Sequence, residues 1–281
     1  MESNNSKELL LLGLPESGKT TYLTALDEVL NENTAKGGLI SDGLSGNRAA
    51  MLRNKTEWVS GRSVQRTERL SAEPCVLRVH DPVTGVKVSL SVPDLSGETF
   101  NDQWSNRTWT TDYRKQVQRI DGLLLFVTAL TAGSLQPIQN GVPLAASTSQ
   151  PWNPTLSSAQ VKLVDLLQFI AKARMTHALP VAVIISAWDV VLGTPFDGVP
   201  RNYLERHWSL LAQFLTARSK TFPLAVFGVS AQGGETGDPN LLAIHEPAER
   251  VFICDENGRS GDLTLPIRWA LSLSDSSIRR K

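Results

Sequence analysis

Apolar positions along the chain fall into short unbroken runs separated by amphipathic stretches, the pattern of buried parallel strands alternating with helices. Leu9-Leu10-Leu11-Leu12 is the first run, and a helical pattern follows it from Thr21 to about Leu30. Similar runs recur at 122–128, 180–185 and 224–229. Between them, helical spacing predicts helices over 111–119, over 157–174 with Ser158 as a cap, and over about 203–217. Residues 75–80 and 86–92 alternate apolar and polar instead, and they flank the turn Asp81-Pro82-Val83-Thr84-Gly85, which predicts a β-hairpin. A second hairpin-like piece covers 251–264, turning at Asn257-Gly258, and a last helix is expected at 266–273. Three stretches read as insertions: 31–66, with a helical piece at about 47–58, the Pro/Gly/Ser-rich 131–156, and 190–202. Alternation of this kind makes a three-layer α/β architecture, expected here as one domain over 1–281 with a mostly parallel sheet and one antiparallel edge strand.

Composition narrows the partners. Lys+Arg and Asp+Glu balance at 28 each, so the overall charge points neither to nucleic acid nor to an anionic membrane. Only Cys75 and Cys254 are present, too few for a disulfide framework, which suits a reducing compartment. No apolar run approaches the ~20 residues that span a bilayer, and the first residues are polar rather than a signal sequence. A soluble, cytoplasmic protein without a transmembrane segment is the expectation.

The chemistry is concentrated where the first strand ends. Gly13-Leu14-Pro15-Glu16-Ser17-Gly18-Lys19-Thr20 is G-x-x-x-x-G-K-[ST], set between a strand and a helix as a phosphate-cradling P-loop must be. Glycines at 13 and 18 let successive backbone N–H groups turn toward phosphates, and the N-terminus of the next helix adds partial positive charge. Lys19 can reach the β and γ phosphates and the Thr20 hydroxyl can ligate Mg²⁺; Glu16, Ser17 and Thr21 complete the expected nucleotide contacts. The fold is therefore expected to be of the P-loop NTPase type.

Three further strand ends agree with that placement. Asp94, leaving the second hairpin strand, is suited to hold Mg²⁺ through water, and Gly97 to offer its N–H to a γ phosphate. The run 183–185 leads into Ser186-Ala187-Trp188-Asp189. A carboxylate there can accept hydrogen bonds from guanine N1–H and its exocyclic amine together, a donor pair that adenine lacks. The last run leads into Ser230-Ala231-Gln232, whose backbone can meet guanine O6. His80, His177, His207 and His245 have no metal-ligand spacing and are expected to be structural or exposed.

Taken in order, 13–20, 94–97, Asp189 and Ser230-Ala231 resemble the phosphate, magnesium and guanine motifs of translation-factor and Ras-like (TRAFAC) GTPases. More narrowly, Asp94-Leu95-Ser96-Gly97-Glu98, the Ser-Ala-Trp-Asp form of the base motif and the late stretch 262–269 resemble bacterial double-GTPase type domains of multi-gene conflict loci. The resemblance implies a switch that binds Mg²⁺ with GTP or GDP, hydrolyses GTP slowly and signals to a protein effector or adaptor, in an antiviral system and with oligomers allowed. It also implies a first-switch threonine over Mg²⁺ and the γ phosphate, for which Thr67 is the candidate, with Thr56 and Ser63 as competitors. Two positions depart from the family pattern. Ala187 stands where the base motif carries a lysine, with Trp188 beside it as a compensating contact, and Glu98 stands where a water-orienting glutamine is usual. Arg62, Arg66 and Arg107 are the available arginine fingers. Two other classes stay open: a non-hydrolysing nucleotide-dependent assembly module, and a P-loop ATPase or kinase, which the missing lysine favours.

Overall fold

Leu9 and Leu11 pack on one face of the sheet and Leu10 and Leu12 on the other, and none of the four is more than 2% exposed. Side chains of a strand alternate between faces, so a strand covered on both sides must be apolar at every position. The computed structural model describes residues 6–31, 38–46, 48–62, 75–93, 104–130, 157–174, 178–235, 237–239 and 246–278. In chain order these form β1 (Ser6–Gly13), α1 (Lys19–Asn31), β2 (Ile40–Ser45), α2 (Arg48–Val59), β3 (Cys75–His80), β4 (Lys87–Val92), α3 (Thr111–Arg119) and β5 (Gly122–Thr128). After them come α4 (Ala159–Arg174), β6 (Val181–Ser186), α5 (Pro200–His207), α6 (Ser209–Ala217), β7 (Leu224–Ser230), β8 (Phe252–Asp255), β9 (Gly258–Ser260) and α7 (Leu265–Ile278).

The described strands form a nine-stranded sheet in the order β2-β3-β4-β1-β5-β6-β7-β8-β9. Its centre, from β4 through β7, is parallel. Helices cover both faces. On one, α1 and α7 bury Leu23, Leu26, Ile267 and Ala270 against Leu9, Leu11, Leu124 and Phe126. On the other, α3 to α6 bury Val117, Leu163, Leu167, Leu204 and Leu211 against Leu10, Leu12, Leu125 and Val183. Parallel register aligns Gly13 with Phe126 and Ser186 with Val229, so the loops after β1, β6 and β7 leave from one edge of the sheet. That edge, at the carboxyl ends of the strands, is where open α/β sheets bind ligands.

The three-layer, mostly parallel fold is the one expected, with antiparallel additions at both edges rather than at one. At one edge β3 and β4 pair as the predicted hairpin, and β2 adds outside it, antiparallel to β3 with a bulge between Ser41 and Gly43. At the other edge the predicted tail hairpin appears as β8 and β9. The expected insertion 31–66 thus supplies both β2 and α2. The helix expected over 203–217 is two helices, broken at Trp208. Buried Gln160 of α4 explains the break: its Oε1 accepts from the N–H groups of Leu210 and Leu211 at 2.8 and 3.3 Å, replacing intrahelical acceptors at the start of α6. The expected insertion 131–156 lies outside the described residues. Among the described residues no helix is long and apolar enough to cross a membrane.

Candidate functional site

The loop between β1 and α1 is held closed from inside. Lys19 Nζ donates to the carbonyls of Gly13 and Leu14 at 2.8 and 2.9 Å and to Ser17 Oγ at 3.2 Å. Burial pushes its ammonium down to about 8, because three neutral oxygens do not replace lost hydration. No carboxylate forms an ion pair with it among the described residues. Ser17 is buried, its N–H donating to Leu14 O at 3.3 Å, and the first helical bond runs from Tyr22 N to Gly18 O at 2.9 Å. Glu16 is exposed and takes a left-handed conformation (φ 64°). Thr20 and Thr21 open α1 half-buried, the Thr20 carbonyl accepting from Thr24 Oγ1 at 2.9 Å.

Both loop glycines are required by close approach. A Cβ on Gly13 would lie 2.6 Å from Phe126 O and from Ser17 Oγ. Gly18, at φ +88°, would put a Cβ 2.8 Å from the Ser186 side chain. The P-loop therefore rests directly on the end of β6, where the base motif begins. The Gly13–Thr20 loop and the end of β6 are packed together by a contact that only glycine permits.

Beyond Ser186, Ala187 is left-handed (φ 54°, ψ 42°) and turns the chain into a 3₁₀ turn over Trp188–Val191. Ser230 Oγ donates to Asp189 Oδ1 at 2.6 Å and accepts from Gly233 N at 3.0 Å. Ser230 is fully buried and Asp189 half-buried, so a fixed, charge-assisted hydrogen bond orients the carboxylate. Ala231 is buried and Gln232 half-buried, with a Gln232 Nε2 that has no partner among the described residues.

Trp188 does not border this edge. It is 0% exposed, packed beneath Gly228, where a Cβ would lie 2.2 Å from the indole ring, and edge-on to Tyr203 with centroids 5.4 Å apart. An apolar ring beside a strand end gains more from the core than from the rim. Arg107 pairs with Asp165 at 3.2 Å and Arg62 with Glu57 at 2.7 Å. His80 lies 2.7 Å from Asp42 across the β2–β3 pair, and His207 stacks on Tyr203 with centroids 4.3 Å apart. Among the described residues no three His, Cys, Asp or Glu side chains gather as a metal site. Asp94, Gly97, Glu98 and Thr67, with Ser63, Arg66, His177 and His245, lie outside the described residues.

Sequence reasoning missed the residues that brace the site from behind. Trp58 Nε1 donates to Ala231 O at 2.7 Å, and the Arg250 guanidinium lies 4.6 Å from the centroid of the Trp58 ring. Ser186 is the third. The apolar ring that follows the polar run 53–57 is the sequence signal for a buried role of Trp58.

A P-loop closed on its lysine and packed against the end of β6 defines a domain of the P-loop fold, and the family to which the chain belongs makes it a GTP-binding one. The chain belongs to the Double-GTPase 1 family, whose model matches residues 10–270. Similar solved structures include the G domain of the T. maritima FeoB iron transporter, 14% identical, covering 87% of this chain and 98% of that one with a TM-score of 0.34. Another is the S. cerevisiae Ski7 GTPase-like domain bound to GTP, 15% identical, covering 82% of this chain and 43% of that one with a TM-score of 0.44. No curated protein matches the chain.

Proposed function

We propose that this domain binds GTP with Mg²⁺, hydrolyses it slowly to GDP and phosphate, and changes its contacts with a protein partner as it does so. The observation that carries the reading is the packing of the Lys19 loop against the strand end that holds Asp189, with Gly18 touching Ser186. A triphosphate and a purine edge 281 residues' worth of fold could otherwise keep apart would meet one surface. The buried Lys19 ammonium fits a phosphate, which would supply the missing countercharge. Thr20 and Asp94 would hold Mg²⁺, which when bound neutralises charge on the β and γ oxygens.

In the hydrolytic step a water oxygen forms a bond to the γ phosphorus and the bond to the β–γ bridging oxygen breaks, leaving GDP and inorganic phosphate. Lys19 would stabilise the charge that develops on the phosphate oxygens, Gly97 and Thr67 would sense the γ phosphate, and Glu98 would face the attacking water. A carboxylate in that place repels the phosphates as well as accepting a proton, so turnover is slow without a partner. The domain would act in the cytoplasm as the switch component of a bacterial antiviral system, a reading that the double-GTPase resemblance supports.

Phosphate release at saturating GTP tests the reading. Wild type should turn over measurably and Lys19→Ala should neither bind nor turn over. Glu98→Gln should change the rate with little change in binding. Tight GTP binding with no phosphate release in any variant would favour a second reading, a non-hydrolysing assembly module, which the glutamate at 98 also suits.

A further inference from the structure

We propose that Trp58 and Arg250 are positioning residues that clamp the base-reading loop 230–233 and set guanine selectivity in place of the lysine missing at 187. The inference rests on the guanine reading of this site and adds to it two residues that need not touch nucleotide.

Trp58 lies in the last turn of α2, where its ring is 0% exposed and belongs to the core that α1 and α7 cover. Its indole N–H crosses 173 residues of sequence to the Ala231 carbonyl at 2.7 Å. Arg250 is 5% exposed, and among the described residues it makes no ion pair. Burying a guanidinium without a carboxylate is costly unless its hydrogen bonds are met. Here it stacks on the Trp58 ring and donates to the carbonyls of Trp58 and, at 3.3 Å, Val59. Both carbonyls lie at the C-terminus of α2, where the helix dipole favours a cation, and the Trp58 carbonyl also accepts from Gly61 N at 3.0 Å.

The loop closes onto this pair from the other side. Gly233, at φ +94°, would place a Cβ 2.7 Å from Arg250 O and 2.8 Å from Arg250 Cβ, so the backbones of 233 and 250 are in contact. Gly233 N–H meets Ser230 Oγ, which meets Asp189. Gly237 N adds a bond to Gly61 O at 3.0 Å, just beyond α2. One chain of contacts therefore runs from Asp189 through Ser230 and Gly233 to Arg250 and Trp58, and back to Ala231. Both groups assigned to the guanine edge, the Asp189 carboxylate and the backbone at Ala231, are fixed by it.

Recognition of a base edge depends on donors and acceptors held to fractions of an ångström before the ligand arrives. In the family pattern a lysine of the base motif lies along the guanine and braces the P-loop, and the methyl of Ala187 can do neither. The Trp58–Arg250 clamp supplies the rigidity from the opposite side of the loop.

The test measures dissociation constants of the full chain for GTP and ATP in wild type, Trp58→Phe and Gly233→Ala, with melting curves for each. Trp58→Phe keeps the apolar ring and deletes the donor; Gly233→Ala pushes the loop off Arg250 without touching Trp58. Each should weaken GTP on the order of tenfold, the cost of one unsatisfied buried carbonyl or a displaced loop, and leave ATP within about twofold. A GTP-to-ATP ratio that stays at the wild-type value in a folded variant, whether both affinities drop together or neither does, overturns the clamp alone. A wild-type protein that prefers ATP overturns the guanine reading and the clamp with it.

Discussion

Ser230 donates its hydroxyl hydrogen to Asp189 at 2.6 Å across the ends of two adjacent parallel strands. The same oxygen accepts the Gly233 N–H, so one buried hydroxyl ties a carboxylate to the turn that follows β7. Ser230→Ala would leave both partners unmet. Unsatisfied buried groups cost ~1–3 kcal/mol each, so GTP and GDP affinity should fall by about tenfold or more. ATP affinity, which does not use the carboxylate, should hold. Titration of the variant with all three nucleotides checks this, and an equal loss for ATP would count against Asp189 as the base reader.

Lys19 titrates where nucleotide binding can report it. Its ammonium is pulled down to about 8 by burial in the free protein, while a bound phosphate favours the charged form and raises it again. Binding is then coupled to proton uptake. Affinity for GDP should be full below pH 8 and fall as pH rises through that value, by up to ~tenfold per pH unit. Lys19→Arg keeps its charge throughout this range and should flatten the profile, whatever its absolute affinity. A wild-type profile that is flat from pH 7 to about 10 would contradict the assigned protonation.

Gly228 has no room for a methyl group, because a Cβ there would lie 2.2 Å from the Trp188 ring. Gly228→Ala must displace a fully buried indole, an overpacking that costs ~1–3 kcal/mol. Thermal unfolding should drop by several degrees, at roughly 2–4 °C per kcal/mol for a chain of this size. Base selectivity should change little if Trp188 has the packing role its burial indicates.

Asp262 organises the start of α7. Its Oδ1 accepts from Thr264 N at 2.9 Å and from Thr264 Oγ1 at 2.5 Å, and its other oxygen meets the Arg268 guanidinium. Next to it, Tyr22 OH of α1 donates to Leu263 O at 2.7 Å. Asp262→Ala should cost about 1–2 kcal/mol, as loss of a helix-start acceptor does. Melting would show it, and GDP affinity should be unchanged at temperatures where the variant is folded.

What the sequence made legible follows from the range of each interaction. The P-loop could be read because its eight positions are contiguous and its chemistry is mostly backbone. Strands β1, β5, β6 and β7 were legible because burial on both faces leaves an unbroken apolar run. β2 was not, since Ile40-Ser41-Asp42-Gly43-Leu44-Ser45 is a polar edge strand defined by its partner β3 rather than by its own pattern. The break at Trp208 depends on Gln160, which lies on another helix. Trp188 was expected beside a base because of its neighbour Asp189, but successive residues of a tight turn point in different directions, and burial claimed the ring. Trp58 and Ala231 meet across 173 residues, a separation that no local pattern encodes.

Guanine recognition by Asp189 is tested most directly by isothermal titration of the purified chain with GTP, GDP and ATP in the presence of Mg²⁺. GTP and GDP should bind on the order of 100-fold more tightly than ATP, the discrimination that a pair of hydrogen bonds to an oriented, half-buried carboxylate supplies. ATP binding as tight as GTP, or tighter, would contradict it.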